Sequence, residues 1–215
     1  MKLKMIIFGL ICFWGKISNG QDSNTVIFDE FLVSANRTVL QDGNTEDRFG
    51  FGLGIYHSFL PEKKLNIVLG LEYNRTGQFK KSMYDGHFAN AANVTYSLNC
   101  VSIPFGLRAN MGSKTKMFIE MGGFADLVVY SNRTGTMHTY LPDVNNQINY
   151  REFEIDENAR LSNTIGAYFG VGVRIPISKY ELVVKSDYKY GITKLYSDPE
   201  EILNRYFRIS IGLKI

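Results

Sequence analysis

Ten charged side chains lie in segments that otherwise alternate between apolar and small residues, and charges in such a setting could form buried ion pairs. The five acids are Glu72, Glu120, Asp126, Glu181 and Asp187, and the five bases are Arg108, Arg174, Lys185, Lys189 and Arg208. Because unpaired charges are costly where there is little water, we expect the two signs to form one connected network. The alternative is that several of them lie near the rims of the fold and stay solvated, where each pair stabilises by at most ~1 kcal/mol.

Candidates for catalytic, metal or phosphate chemistry are few. The histidines are His57, His87 and His138, and none has a serine and an acid in a pattern typical of a hydrolase. Gly112-Ser113-Lys114-Thr115 resembles a phosphate loop only superficially, because such a loop needs a glycine directly before the lysine and a helix after it. No cysteines and histidines have the spacing of zinc ligands. The sequence therefore predicts a protein that is not an enzyme and that has no cofactor and no metal site.

The N-terminal segment has the layout of a secretory signal peptide. A basic start precedes the ten uncharged residues Met5–Trp14, and Ser18 and Gly20 provide the small residues that a signal peptidase requires. Ten apolar residues are too few for a membrane-spanning helix, which needs about 20. We therefore predict a signal peptide at residues 1–20 and a single exported domain at residues 21–215.

After removal of that segment the chain is electrically balanced. Lys2, Lys4 and Lys16 would be lost, which lowers the 24 basic side chains to 21, equal to the 21 acidic ones. A neutral balance argues against a nucleic acid partner, because such binding needs a basic surface. Only Cys100 would remain of the two cysteines, so no disulfide could form within the chain.

Hydrophobicity alternates with a period of two through most of the remaining chain. The C-terminal segment shows this best, with an apolar row at Phe207, Ile209, Ile211, Leu213 and Ile215. Residues 161–175 follow the same rule, and shorter apolar rows begin at Phe49, Leu65, Val101 and Met117. This period is typical of β-strands with two unlike faces. Each segment is long enough to cross a bilayer as a tilted strand of about 9–11 residues.

The connections between these segments alternate between short and long, as a membrane-spanning meander requires. The tight turns are Leu60–Lys64, Gly112–Thr115 and Ile177–Lys179. The longer polar stretches are Thr38–Asp47, Gly77–Asn93, Ser131–Arg160 and Lys194–Asn204. Seven strands are evident, and we place an eighth at Thr25–Asn36 so that both termini lie on the periplasmic side. The sequence thus predicts an all-β fold, an eight-stranded antiparallel up-and-down transmembrane β-barrel.

The composition of the polar row indicates which face points outward. Alternation alone fits a soluble ligand-carrying barrel equally well, with the apolar row inside. The polar row, however, combines ten glycines with the ten charges above, which fits a narrow lumen where small residues leave room for long charged ones. Aromatic residues near strand ends are typical of the girdles of membrane barrels, and they are Phe59, Tyr73, Tyr130, Tyr190, Tyr196 and Tyr206. We therefore favour the membrane barrel.

The triplet Asn-Arg-Thr occurs at Asn36, Asn74 and Asn132, each time where a strand is predicted to pass into a long loop. Asn93-Val94-Thr95 has the same form. Read as glycosylation acceptors, these triplets would indicate a eukaryotic secreted glycoprotein. We prefer the interpretation that they are polar strand ends at the level of the lipid headgroups.

Three short segments resemble a known family. Val101–Arg108 (VSIPFGLR) is similar to a strand of the Bacteroidetes outer membrane β-barrel family that includes PorT-like proteins, in the broad OmpA/OmpX-like class. Leu69–Tyr73 and Tyr188–Thr193 resemble later strands of the same family. Ser102 stands where that pattern usually has Glu, and Ile215 stands where a terminal aromatic residue is usual. The resemblance implies a membrane-embedded barrel and carries over no catalytic residues.

These features together predict an integral protein of a Gram-negative outer membrane, in contact with its lipid. We expect a structural or interaction role through the extracellular loops at residues 77–93 and 131–160, and a lumen filled by side chains. A small transport barrel and a soluble secreted ligand carrier are the alternatives.

Overall fold

Ten β-strands form the secondary structure of the described residues in the computed structural model, which covers 28–38, 45–61, 63–142, 145, 147–196 and 202–215. The strands are β1 (Glu30–Thr38), β2 (Thr45–Glu46), β3 (Phe49–Ser58), β4 (Leu65–Tyr84), β5 (Ala89–Met111), β6 (Lys116–Pro142), β7 (Ile148–Asn158), β8 (Thr164–Ile177), β9 (Tyr180–Tyr196) and β10 (Ile202–Lys214). The predicted signal peptide, residues 1–20, lies outside the described residues. No helix within those ranges is long and apolar enough to cross a membrane.

Eight of the strands close into a ring. Their order around it is β1, β10, β9, β8, β6, β5, β4 and β3, and β3 pairs with β1 again. Every pairing in the ring is antiparallel. Apart from the added β2 and β7, strands that follow one another in the chain are neighbours, so the ring is an up-and-down meander. The predicted fold class is confirmed.

Short connections lie at one end of the ring. The three predicted tight turns join β3 to β4, β5 to β6 and β8 to β9. The backbone N–H of Ile215 donates to the carbonyl of Asp29 at 2.8 Å, so both described chain ends lie at this end too. In barrels of this kind short turns mark the periplasmic end.

The first strand of the ring is displaced from its predicted position. It spans Glu30–Thr38 rather than Thr25–Asn36, and residues 25–27 lie outside the described part of the chain. Asp29 precedes the strand at the periplasmic rim, where it accepts from the backbone N–H of Ser58 at 2.9 Å and binds Lys214. The acids therefore stand at the start of the strand and not in its middle, and the alternation beyond them is regular.

Two predicted long loops consist mostly of paired strands, which corrects the assignment of 77–93 and 131–160 as loops. β4 continues to Tyr84 and β5 begins at Ala89, with Gly86 at φ +109° in the turn between them. β6 continues to Pro142 and pairs along its upper half with β7. We call residues 77–84, 89–97, 131–142 and 148–158 the projecting sheet. Polar side chains occur on both of its faces because it extends beyond the apolar outer surface of the ring, and its apolar side chains either pack into one buried cluster or are exposed near its end.

The apolar row of each ring strand faces outward. Phe49 is 77% exposed, and Met117 and Ile192 are each 62% exposed, whereas the polar row is buried in the lumen. This is the reverse of a soluble ligand-carrying barrel, so that alternative is wrong.

Four of the predicted girdle aromatics, Phe59, Tyr73, Tyr130 and Tyr190, are exposed on the outer surface. Tyr206 is the exception, because it shares the inward row of β10 with Asn204 and Arg208 and is fully buried. The side chain of Tyr196 lies outside the described part of the chain.

The Asn-Arg-Thr triplets do not share one environment. Asn36 and Asn74 are buried in the lumen, where the Asn36 side chain donates to the Asn74 side chain at 3.4 Å. Neither asparagine is accessible to glycosylation, because both side chains point into the lumen. Asn132 lies in the projecting sheet and donates to Asp156 at 2.8 Å.

Two apolar clusters occupy the ends of the interior. Leu32, Tyr56, Val68, Phe118 and Val183 pack together toward the periplasmic end. A larger cluster at the opposite end packs beneath the projecting sheet and contains Met83, Ala91, Val94, Tyr96, Leu98, Ile155 and Leu195. Charged side chains fill the lumen between them.

Candidate functional site

Eight buried side chains of alternating charge form one continuous series of ion pairs across the lumen, here called the charge chain. In order they are Glu30, Arg108, Glu120, Lys185, Asp187, Arg208, Glu72 and Lys189. The N···O distances of consecutive pairs are 2.6, 2.7, 2.7, 3.7, 3.0, 2.7 and 2.6 Å. No member is more than 2% exposed. With four acids and four bases the series is neutral.

All eight strands of the ring take part in this arrangement. Six of them supply the charges, and the remaining two, β3 and β8, each supply a tyrosine. The hydroxyl of Tyr56 donates to Glu72 at 2.6 Å, and the hydroxyl of Tyr168 donates to Glu120 at 3.0 Å. The charge chain therefore ties the whole circumference of the barrel together through its interior.

Glycines make room for these tyrosine rings. A Cβ atom at Gly70 would lie 2.5 Å from the Tyr56 ring, and one at Gly106 would overlap the hydroxyl of Tyr168. The space that the sequence assigned to long charged side chains is thus occupied here by aromatic rings, whose hydroxyl groups reach the carboxylates.

The structure brings seven of the ten predicted site residues into the charge chain and leaves three outside it. Asp126 is buried and accepts from the Asn204 side chain at 2.8 Å, but it forms no ion pair within the described ranges. Arg174 contacts Glu181 at 3.2 Å, and Lys116 contacts the same carboxylate at 3.0 Å. Glu181 is 22% exposed, so this group belongs to the periplasmic mouth. The expectation of solvated charges at a rim fits Glu181, and the expectation of a buried network fits the seven.

Glu30 completes the charge chain and was missed by the sequence analysis. Its carboxylate receives two hydrogen bonds from the Arg108 guanidinium, at 2.6 and 3.1 Å. The signal was present, because Glu30 starts the inward row that continues through Leu32 and Ser34. The predicted strand starts at Thr25, five residues before the observed one, so it places Glu30 in the middle of the strand and not at the start of an inward row.

The charge chain is a structural arrangement rather than a reactive one. Each inner member contacts two partners of opposite sign, and Arg108 also lies over the Phe118 ring at 4.4 Å. Removing one partner of a buried pair leaves an uncompensated charge, which typically costs about 3–5 kcal/mol. The arrangement can fill the lumen and stabilise the ring of strands around it.

The histidines lie far apart in sequence and face aromatic neighbours. His138 contacts the Tyr150 hydroxyl at 2.5 Å and lies 3.8 Å from the Glu152 carboxylate. Partial desolvation and the hydrogen bond to Glu152 raise the pKa of Tyr150, which stays protonated at neutral pH. His57 packs edge-on against Phe59 at 4.7 Å. Among the described residues no group of three or more histidine, cysteine or acidic side chains could hold a metal ion.

A family model described as "Outer membrane protein beta-barrel domain" matches residues 31–197. The chain belongs to this outer membrane β-barrel family. Membership places the protein in the outer membrane, where its apolar outer surface contacts lipid. No curated protein matches the chain.

Several solved structures are similar in fold. Neisserial surface protein A is 12% identical with a TM-score of 0.45, and the match covers 86% of this chain and 95% of that one. The attachment invasion locus protein Ail of Yersinia pestis is 9% identical with a TM-score of 0.41 and the same coverage, 86% and 95%. The N-terminal β-barrel domain of Pseudomonas aeruginosa OprF is 11% identical with a TM-score of 0.36, covering 87% and 98%.

Proposed function

We propose that the protein is a structural or interaction protein of the outer membrane that binds a partner protein through its projecting sheet. The observation that carries this proposal is an apolar patch at the end of the β6–β7 hairpin, outside the bilayer. It comprises Tyr140, Ile148 and Tyr150 on one face of the hairpin and Leu141 and Phe153 on the other, and all five are 44–72% exposed. We call this patch the aromatic tip. Exposed apolar patches of this kind mark interaction sites in soluble regions of proteins.

The projecting sheet is rigid enough to present that tip in one orientation. Ile155 of β7 packs into the apolar cluster beneath the sheet. Arg133 of β6 pairs with Asp85 at 2.6 Å and with Glu157 at 3.2 Å, which ties both hairpins together. Burial opposes the charged form of Arg133, yet its hydrogen bond to Asp85 raises its pKa above the ordinary value. A preorganised surface loses less conformational entropy on binding than a flexible loop does.

The charge on the edge strand indicates the chemistry of the partner. Glu152, Glu154 and Asp156 follow one another on one face of β7 and are exposed. Complementary potentials favour encounter and register between partners. The partner surface is therefore expected to be apolar at its centre and basic at its rim.

The lumen supports a role without transport or catalysis. The charge chain fills the interior of an eight-stranded ring, and lumens of this size are normally occupied by side chains. In the described part of the chain, the three histidines contact aromatic groups and acids rather than a serine hydroxyl. A non-enzymatic barrel is the function that these contacts favour.

Within the family, a PorT-like barrel of the Bacteroidetes is the subgroup that we propose. Support comes from the β5 segment Val101–Arg108, whose alternate residues Ser102 and Arg108 face the lumen. The hydroxyl of Ser102 accepts from Lys189 at 2.8 Å. A glutamate, usual at this position in that subgroup, would meet the same lysine.

Site-specific photo-crosslinking on intact cells tests the interaction role. A benzoylphenylalanine in place of Tyr150 or Phe153 should give a discrete protein adduct, because both positions lie on the aromatic tip. The matched control is the same substitution at Phe169, which is equally exposed but faces lipid. Absence of protein adducts at both tip positions, or the same adducts at Phe169, would overturn the proposal.

A further inference from the structure

Three outward-facing arginines lie beside exposed aromatic rings near the extracellular boundary of the apolar surface. Arg205 of β10 is the cross-strand partner of Tyr190, and Arg75 of β4 is the partner of Phe51. Arg37 of β1 lies between Phe207 and Phe49, one on each neighbouring strand. We call Arg37, Arg75 and Arg205 the arginine belt.

The arginine belt stands at the height of the lipid headgroups. In β10 the outward row is apolar from Leu213 to Phe207, and Arg205 is the next outward residue. In β4 the outward row is apolar from Leu65 to Tyr73, and Arg75 follows. Aromatic girdles mark the interfaces of a membrane barrel, so guanidinium groups beside such rings lie at the polar edge of the bilayer.

The three arginines lie within reach of one lipid headgroup or of two adjacent ones. They occupy the neighbouring strands β10, β1 and β4, with only β3 between the last two. Strands in a sheet are about 4.8 Å apart, so three intervals separate the outermost arginines by roughly 15 Å around the barrel. Each arginine side chain adds several ångströms of reach.

The belt is short of anionic partners from the protein itself. The Arg75 side chain makes no hydrogen bond or ion pair with any residue in the described ranges. The Arg205 guanidinium donates to the Tyr190 hydroxyl at 2.6 Å and lies 4.0 Å from the centre of its ring, while its Nε has no partner among the described residues. Among the described residues, Arg37 is the one member of the belt with an acid, Asp47, as its neighbour. Arg75 and Arg205 therefore have no acidic partner within the part of the chain that the structure describes.

We propose that the arginine belt binds the phosphate groups of lipid headgroups in the outer leaflet. A guanidinium presents paired N–H donors that match phosphate oxygens, and hydrogen bonds between charged groups are stronger than neutral ones. The neighbouring rings pack against the upper acyl chains, so charge and apolar contact select a lipid rather than a free anion. The binding would fix the depth of the barrel in the bilayer and its rotation about its own axis, and thereby the orientation of the projecting sheet.

Native mass spectrometry of the intact barrel tests this binding. The probes are phosphatidic acid, which carries a phosphomonoester, and phosphatidylcholine, whose phosphate is esterified to choline. The wild type should retain phosphatidic acid in preference to phosphatidylcholine. In R75Q/R205Q the ratio of the two retained lipids should be about tenfold lower, since each lost contact involves a charged hydrogen bond. The matched control is K63Q/K64Q, which removes two exposed bases from a periplasmic turn and should behave as the wild type.

Three outcomes would overturn the proposal. Equal retention by the wild type and R75Q/R205Q means that the belt is not the site. An equal loss in K63Q/K64Q means that overall charge, not the belt, attracts the lipid. Displacement of the lipid by excess inorganic phosphate identifies an anion site without lipid preference. Heat-modifiable migration of each variant verifies that the barrel is folded.

Discussion

Arg108 illustrates at the residue scale how the lumen is stabilised. It is fully buried between two carboxylates, Glu30 and Glu120. Arg108→Met keeps most of the side-chain volume but leaves Glu30 without a counter-charge, and we expect a loss of about 3–5 kcal/mol in the free energy of unfolding. The measurement is the urea midpoint of the barrel in detergent micelles.

Three further variants calibrate that loss. E30Q/R108M removes the stranded charge as well, so it should recover part of the stability. Arg174→Met should cost less than Arg108→Met, because its partner Glu181 is partly exposed at the mouth. Equal midpoints for Arg108→Met and the exposed change Lys63→Met would contradict a stabilising role for the charge chain.

Gly70 is a second lumen residue that cannot be replaced without cost, because the Tyr56 ring occupies the space of a side chain at this position. Gly70→Ala would press a methyl group against the Tyr56 ring and move its hydroxyl away from Glu72. Overpacking of this kind typically costs about 1–3 kcal/mol. Gly123→Ala is the matched control, because its nearest neighbour would lie 3.5 Å from the new atom. Equal unfolding midpoints for the two alanine variants would mean that the ring adjusts freely.

At the scale of a strand, depth in the bilayer governs what an outward position tolerates. Ile211 lies in the middle of the apolar row of β10, whereas Ile192 of β9 lies beyond the girdle residue Tyr190. An arginine near the midplane costs about 2–4 kcal/mol, and one near the interface about 0–1 kcal/mol. Ile211→Arg should therefore lower the yield of folded barrel in membranes much more than Ile192→Arg. The reverse order would place the bilayer elsewhere on the barrel.

The end of the β6–β7 hairpin is expected to be dispensable for assembly of the eight-stranded ring. Residues 134–156 can be replaced by Asn-Gly, which favours a two-residue hairpin turn, because Arg133 and Glu157 are already cross-strand partners. The shortened barrel should still show heat-modifiable migration, with a modest loss of stability from the removal of Ile155 from its cluster. Failure to assemble would show that the sheet is needed for folding.

How far the sequence predicts the elements depends on their surroundings. Inside the bilayer one face meets acyl chains and the other meets the lumen, so alternation in residues 207–215 predicts β10 well. In β7 (INYREFEIDEN) every side chain except Ile155 is exposed, so this strand has no apolar row to reveal it. The charged members of the lumen were predictable from their row, whereas the tyrosines that join them were not, because a tyrosine suits either face.

At the scale of the whole molecule the interior decides whether the barrel conducts. The charge chain lies in the lumen between two apolar clusters, and none of its members is more than 2% exposed. We expect the wild type to show no steady conductance in planar lipid bilayers. A stable open level would mean that water passes the charge chain, and transport would then replace the interaction role as the better hypothesis.

The pairing of β1 with β10 has a consequence for how the protein reaches its folded state. Asp29 and Lys214, which meet at this seam, are 185 residues apart in the chain, and the Lys189–Glu72 pair spans 117 residues. Contacts of such long range make folding slow, because chain entropy is lost before they form. Hairpins of neighbouring strands can form early, but β1 cannot pair with β10 until the rest of the ring is in place. Until then the outward apolar rows are exposed, so we expect the unclosed chain to be prone to aggregation and the pairing of β1 with β10 to be the last to form.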